Sequence, residues 1–203
     1  MTKSNSQYKI SRRLGGALWG GSKDPYNKKN YPPGQHGPTL QRKPSGYGKQ
    51  LHAKQRLKGY YDIQEKQFRK IFTEASRLKG DTGENLVGLL ERRLDAVIYR
   101  MHLAPTIFSA KQLVSHKHVK VNGQVVNISS YVVKEGDEIE LRDKSKQIPI
   151  VLESLQKLER GIPDYLQLDA ATAKGKFVRI PNLADIPYPV QMEPNLIVEF
   201  YSR

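Results

Sequence analysis

The chain has 203 residues, with 34 Lys and Arg against 20 Asp and Glu, so its formal net charge is +14 at neutral pH. It contains no cysteine, which excludes disulfide scaffolds, thiol nucleophiles and cysteine-ligated metal sites. No stretch approaches the roughly 18 consecutive apolar residues of a membrane span, and residues 1–10 lack the apolar core of a secretory signal. We therefore expect a soluble, strongly basic intracellular protein whose first candidate partner is nucleic acid.

The positive charge is concentrated in residues 1–60, which carry 13 Lys and Arg but a single acid, Asp24. The rest of the chain carries 21 Lys and Arg and 19 acids. Up to about Tyr47 the segment is rich in Gly and Pro and poor in aliphatic residues, so we expect an arm that does not order itself alone. Its cations suit contact with phosphates, and aromatic residues such as Trp19 suit stacking on bases. A disordered tail that only aids solubility is the alternative.

Helical patterns follow this arm. The pairs Asp62 with Glu65 and Asp81 with Glu84 have the spacing of helix N-terminal caps. We predict helices, in chain order, over residues 51–58, 63–79, 82–103 and 110–115, the last capped by Ser109. Because the arm has few apolar residues, we expect the core that begins at Leu51 not to depend on it.

A β-hairpin is the clearest signal in the second half of the chain. Asn122-Gly123 lies between two alternating segments, and both residues of this turn need positive φ. Further elements are predicted as follows: a strand with Ile139 and Leu141, a helix from Pro149 to Gly161, and strands over 165–168, 176–180 and 195–201, with a turn at Lys174-Gly175 between the first two of these. This order of elements predicts the α+β class.

The chemistry of enzymes and of metal centres is not evident. Phosphate-cradling glycine loops and the nucleophile elbow are missing. His116 and His118 form the closest histidine pair, yet no acidic residue lies between positions 108 and 126. Lysines on both sides of the pair disfavour a cation and favour a phosphate or a base edge. We therefore predict no catalytic residues, no metal site and no cofactor.

Residues 104–126 are the most informative segment. Its polar side chains are expected to lie close together, whereas Leu113, Val114, Val119 and Val121 supply a buried side. A helix N-terminus beside a tight hairpin also offers N–H donors to phosphate. The pattern favours an RNA-binding surface no more than it favours a small α+β unit with a solvated basic face.

Several separated motifs resemble ribosomal small-subunit protein number four, the S-four family, in its bacterial or organellar branch. They are residues 90–100 with 110–116, and also 31–37, 65–69, 79–85 and 200–203. The resemblance covers essentially the whole chain in the same order. Many bacterial relatives carry a four-cysteine zinc site in the N-terminal segment, at positions that fall near Tyr8, Ser11, Trp19 and Asp24 here. The resemblance therefore implies a zinc-free variant.

The resemblance implies a mainly helical domain formed from both chain halves, with an inserted small α+β RNA-binding domain and an extended basic N-terminal arm. The implied divisions are an arm over 1–47, the helical part of the first domain over 48–92, the inserted domain over 93–157, and a C-terminal part with short strands over 158–203 that returns to the first domain. The candidate RNA-binding residues are Arg12, Arg13, Lys49, Lys54, Arg56, Lys58, Arg69, Lys70, Arg100, Lys111, Gln112, Ser115, His116, Lys117, His118, Lys120, Asn122 and Gly123.

The implied function is that of a structural component of the small ribosomal subunit. Such a protein binds small-subunit ribosomal RNA directly, nucleates assembly of the subunit body and contributes to translational accuracy. Its implied partners are proteins S-five and S-twelve and messenger RNA where it enters the subunit, with no membrane and no DNA. The implied location is the cytoplasmic ribosome, or an organellar matrix. The alternative is an RNA-modifying enzyme or accessory factor that carries the same module, although residues 158–203 are short for an added catalytic domain.

Overall fold

The computed structural model describes residues 7–39, 43–156 and 161–202. They form two compact units: Met1–Lys70 with Tyr188–Arg203, and Ile71–Pro187. The first unit therefore combines residues from the N-terminal and the C-terminal parts of the chain. The boundaries placed at 47/48, 92/93 and 157/158 from the sequence remain predictions about separate domains.

Helices make up the first unit. They are α1 (Gln7–Leu14), α2 (Gly46–Tyr60), the start of α3 (Glu65–Ala75) and α9 (Pro194–Tyr201). Ser45 begins α2 by accepting a hydrogen bond from the Gly48 N–H. Helix α2 packs along α9, and Leu57 and Ile197 are buried in this unit.

The N-terminal segment is packed into the first unit. Leu18 is fully buried and Leu14 nearly so, and the Trp19 Nε1–H donates to the Tyr60 carbonyl over 3.0 Å. The expectation that the core does not depend on this segment is therefore wrong for residues 14–19. Leu14 and Leu18 lie four residues apart and are both buried, although the segment as a whole contains few aliphatic residues.

The second unit contains α4 (Thr82–Glu91), α5 (Leu94–Arg100), α6 (Ile107–Ser115), α7 (Asp143–Lys146) and α8 (Pro149–Gln156). The single helix predicted over 82–103 is broken at Arg92 and Arg93. Arg93 is extended and forms an isolated antiparallel bridge with Val132, while the Val133 N–H donates to the Arg92 carbonyl. These non-local backbone bonds replace helical ones. The helix predicted to reach Gly161 is described only to Gln156, and residues 157–160 lie outside the described ranges.

A five-stranded antiparallel sheet completes this unit, in the order β2-β1-β3-β5-β4. Its strands are β1 (Val119–Val121), β2 (Gln124–Val126), β3 (Glu138–Leu141), β4 (Leu166–Asp169) and β5 (Lys174–Phe177). The last hairpin turns at residues 170–173, and Lys174-Gly175 belongs to the strand. The Asp169 carboxylate accepts hydrogen bonds from the Ala171 N–H and the Thr172 hydroxyl, which fixes the turn earlier than predicted.

Residues 195–201, predicted as a strand, belong to helix α9. Pro194 occupies the first turn of this helix, a position where its missing N–H costs nothing. A nearly continuous apolar segment fits either element, and its packing against α2 decides for the helix. With this correction, the α+β class is confirmed. Among the described residues, no helix is both long and apolar enough to cross a membrane.

Candidate nucleic-acid interface

Helix α6 presents a polar side because its apolar side is fixed in the core. Thr106, rather than Ser109, is the N-cap, and Ser109 completes a reciprocal capping box with it. Ile107, Ala110, Leu113 and Val114 are buried. The outward positions are then Lys111, Gln112 and Ser115, as the sequence predicts.

Lys111 lies at the inner margin of this polar side, near a buried ion pair. Burial raises the pKa of the Asp95 carboxyl, and the charges of Arg93 and, more weakly, Lys111 oppose that effect. Arg93 holds Asp95 through two hydrogen bonds of 3.0 and 2.7 Å. Lys111 therefore lies close enough to this carboxyl for its charge to favour the ionised form.

The turn that follows α6 displays a lysine at its apex. Lys117 has a φ of 62°, and its N–H closes the helix onto the Val114 carbonyl. Arg142 braces the turn because its Nη1 donates to the Lys117 carbonyl over 3.2 Å. His118 Nδ1 lies 2.8 Å from Ser145 Oγ, which anchors the other side. The side chains of His116 and Lys117 remain exposed on a backbone that is held in place.

Lys120 is placed differently from the α6 residues. It alternates with the buried Val119 and Val121, so its side chain lies on the outer face of the sheet, 3.4 Å from a Glu140 oxygen. Asn122 and Gly123 form the predicted turn with φ values of 50° and 78°. The Asn122 side chain stabilises this turn, since it donates a hydrogen bond to the Asp137 carboxylate and accepts one from the Glu138 N–H.

Several cationic side chains of the first unit form hydrogen bonds within that unit. Arg12 donates to the carbonyls of Tyr31 and Pro32 and lies over the Tyr31 ring, 4.8 Å from its centroid. Arg56 donates to the carbonyls of Leu14 and Gln191. Arg12 therefore ties α1 to residues 31–32, and Arg56 ties α2 to both the N-terminal and the C-terminal segment.

Lys54 and Lys58 converge on one carboxylate. Their ammonium groups lie 2.6 and 2.9 Å from the two oxygens of Glu65. Partial burial alone would raise the pKa of Glu65, but hydrogen bonds from Lys54, Lys58 and Tyr201 lower it to about 2. Lys54 is only 6% exposed, so it belongs to the interior of the unit.

Arg100 is also an interior residue. It is 5% exposed, and its guanidinium donates to both oxygens of the fully buried Glu91 over 2.8–3.3 Å. Its Nη1 donates to the Pro187 carbonyl as well. Arg100 and Lys54 are therefore not part of an exposed surface, because Arg100 is buried with Glu91 and Lys54 is buried and bound to the carboxylate that it shares with Lys58. The remaining candidates, Arg13, Lys49, Arg69 and Lys70, are exposed.

Arg142 is the residue of this region that sequence reasoning missed. Its side chain and its N–H both bind carbonyls of the turn after α6, at Lys117 and His118. The sequence feature that could have identified Arg142 is the mostly basic segment 142–146, which directly follows strand β3. Among the described residues, no group of three or more His, Asp or Glu side chains could hold a metal ion.

Comparison with known proteins gives matches along the whole chain. Residues 3–91 match the family described as "Ribosomal protein S4/S9 N-terminal domain", and residues 92–139 match the S4 domain. Small ribosomal subunit protein uS4 of Cereibacter sphaeroides is 60% identical over 205 residues, which cover 100% of both chains. The protein of the same name from Xanthobacter autotrophicus is 61% identical over 199 residues, 98% of this chain and 97% of that relative. The one from Rhodospirillum rubrum is 59% identical over 200 residues, 98% of each. The resemblance found in the sequence motifs is thereby confirmed, and the chain belongs to the uS4 family of small ribosomal subunit proteins.

Proposed function

We propose that this chain is a structural component of the small ribosomal subunit that binds ribosomal RNA directly and catalyses no reaction. The observation that carries the proposal is the full-length identity of about 60% to proteins named as small ribosomal subunit protein uS4. The net charge of +14 fits a polyanionic partner. The match over residues 3–91 favours this function over an RNA-modifying enzyme that shares only the small module.

The proposed RNA-binding surface of the second unit is the turn after α6 with the end of that helix. Its members are Gln112, Ser115, His116, Lys117 and Arg142. The turn is held by backbone hydrogen bonds, so its exposed cations are positioned before RNA arrives. In the first unit, Arg13, Lys49, Arg69 and Lys70 are the proposed phosphate contacts, since their side chains are exposed.

We also propose the finer roles that family membership suggests. These are early binding that nucleates the subunit body, an influence on translational accuracy, and contacts with proteins S-five and S-twelve. A position near the point where messenger RNA enters the subunit is part of the same proposal, as is residence in the cytoplasm or in an organellar matrix. The exposed cations support an RNA partner, whereas the protein partners rest on the family alone.

The test is the affinity for protein-free small-subunit ribosomal RNA, measured over a series of salt concentrations. We expect log affinity to fall against log salt with a slope of at least about −4, since each neutralised phosphate contributes roughly 0.7–0.9. A salt-independent affinity would contradict phosphate-dominated binding.

A variant of the turn sharpens this test. Lys117→Asn removes one charge at a left-handed position that Asn adopts readily, so the fold should be kept. We expect weaker binding and a slope reduced by roughly 0.7–0.9 if one phosphate contact is lost. Lys117→Arg keeps the charge and should match the wild type. Lys176→Asn removes a charge from the outer face of the sheet and should leave the slope unchanged.

A further inference from the structure

Asn122 and Gly123 are the single Asn-Gly pair of the sequence, and such a pair is chemically reactive. The backbone nitrogen of the glycine can attack the amide carbon of the asparagine side chain, which closes a succinimide ring and expels ammonia. Water then opens the ring and leaves aspartate or isoaspartate in place of the asparagine. Glycine favours the attack because it has no side chain to hinder the approach and its backbone is permissive. Both residues are exposed, so water reaches them.

The fold opposes this attack by binding Asn122 to the start of strand β3. The Asn122 Nδ2 donates to Asp137 Oδ1 over 2.9 Å, and the Asn122 Oδ1 accepts from the Glu138 N–H over 2.9 Å. The Asn122 N–H also donates to the Glu138 carbonyl over 2.8 Å. These three hydrogen bonds form the Asn122 clamp. The side-chain amide must give up two of them before its carbon can turn towards the Gly123 nitrogen.

The clamp connects the hairpin to the turn that precedes β3. The second oxygen of Asp137 accepts from the Lys134 N–H over 2.8 Å, so one carboxylate closes that turn and holds Asn122. Strand β1, which ends beside Asn122, pairs with β2 on one side and with β3 on the other. A chemical change of Asn122 therefore acts on both pairings.

Deamidation removes the donor on which the clamp depends. An aspartate in place of Asn122 sets a carboxylate oxygen against Asp137 Oδ1, where the amide nitrogen lies at 2.9 Å, and two carboxylates repel each other. An isoaspartate also adds a methylene group to the backbone of a two-residue turn, whose geometry fixes the register of the hairpin. Strand β1 begins directly after the turn that carries His116 and Lys117, so a loosened hairpin holds that turn less firmly.

We propose that Asn122 is a deamidation site that the clamp protects in the folded chain, and that its conversion to aspartate or isoaspartate weakens RNA binding by the second unit. The effect on RNA rests on the proposed function. The chemistry of the site does not, because it needs only water and the chain itself.

The first test measures deamidation of Asn122 at neutral pH, in the folded chain and in the same chain unfolded in urea. Digestion and mass spectrometry follow the replacement of the amide by a carboxyl group over time. We expect the folded chain to react at least about tenfold more slowly, since the attack needs local opening of the clamp. Asp137→Ala removes the acceptor of Nδ2 and should speed the reaction of the folded chain by about tenfold.

The matched control is Asp143→Ala, which removes a carboxylate that is bound to Lys146 rather than to the clamp, and it should leave the rate unchanged. If Asp137→Ala does not fold, the comparison of the folded and the unfolded wild type still decides whether the site is protected. Equal rates in these two states, or an intact Asn122 in urea, would overturn the assigned site. A folded Asp137→Ala variant that reacts at the wild-type rate would overturn the role of the clamp.

The second test measures the affinity of deamidated chains for protein-free small-subunit ribosomal RNA. Ion exchange separates these chains from intact ones, because each carries one more negative charge. We expect binding at least about threefold weaker than that of Asn127→Asp, which adds the same charge at an exposed position nearby without altering the clamp. Equal affinities would overturn the effect on RNA. A wild-type chain that does not bind ribosomal RNA would overturn the proposed function and that effect together, whereas the deamidation rates are measured without RNA and test the site by themselves.

Discussion

Replacement of Arg100 by Met should destabilise the protein without removing an RNA contact. Arg100 donates three hydrogen bonds of 2.8–3.3 Å to Glu91, whose side chain is fully buried. The variant would leave that carboxylate without its counter-charge, although the Tyr165 hydroxyl would still donate to it. Removing one partner of a buried ion pair costs about 3–5 kcal/mol in the free energy of unfolding. For a chain of this length the melting temperature should fall by roughly 6–20 °C.

The assay combines thermal melting with RNA binding at a temperature where the variant is folded. Glu91→Met should also destabilise the protein, because it leaves the guanidinium unpaired. The double variant should lose less stability than the sum of the two, since neither charge is then buried alone. An unchanged melting temperature for Arg100→Met would refute this reasoning. A folded Arg100→Met variant with clearly weaker RNA binding would show that Arg100 reaches the RNA.

Three further outcomes are expected. Leu18→Ala should lower the free energy of unfolding by about 2–5 kcal/mol in denaturant titrations, because the side chain is fully buried. For the same reason, removal of residues 1–47 should destabilise the protein. A truncated protein as stable as the full chain would contradict this packing. Glu65 has a pKa of about 2 in the folded chain and roughly 4.3 when unfolded, so its contribution to stability is present above pH 4.3 and is lost as the pH falls towards 2. Glu65→Gln should therefore weaken the acid dependence of unfolding, and an unchanged pH profile would argue against the Lys54 and Lys58 contacts. Elemental analysis after dialysis should find no stoichiometric zinc, since the chain has no thiolate; one zinc per chain would overturn this.

The features that were predictable from sequence are those in which a local constraint dictates the backbone. Asn122 and Gly123 form the turn of the hairpin because both residue types tolerate positive φ, and in the structure both have a positive φ. Asp81 caps α4 by accepting a hydrogen bond from the Glu84 N–H, as the spacing of the two residues indicates. The side of α6 that is buried follows in the same way from the helical spacing of its apolar residues.

The errors arose where distant parts of the chain decide the conformation. Residues 94–101 continue the helical pattern of α4, and the interruption is seen only in non-local backbone contacts, such as the bridge between Arg93 and Val132 and the hydrogen bond from the Val133 N–H to the Arg92 carbonyl. Helix α9 is apolar enough for a buried strand, and its neighbour α2 lies more than 130 residues earlier in the chain. Both contacts join residues that are far apart in the chain, whereas secondary-structure propensity is read from neighbouring residues, so the sequence pattern does not reveal them.

The candidate site shows the same limit in terms of charge. Lys54, Arg100 and Lys117 look alike in the sequence, since each lies in a basic or amphipathic segment. The structure separates them: the first two are buried against Glu65 and Glu91, and the third is exposed on a braced turn. A cation can neutralise a phosphate only if its charge is not already committed to a carboxylate within the fold. The number of basic residues therefore overstates the number of phosphate contacts, and buried cations that are bound to a carboxylate, such as Lys54 and Arg100, must be subtracted from it.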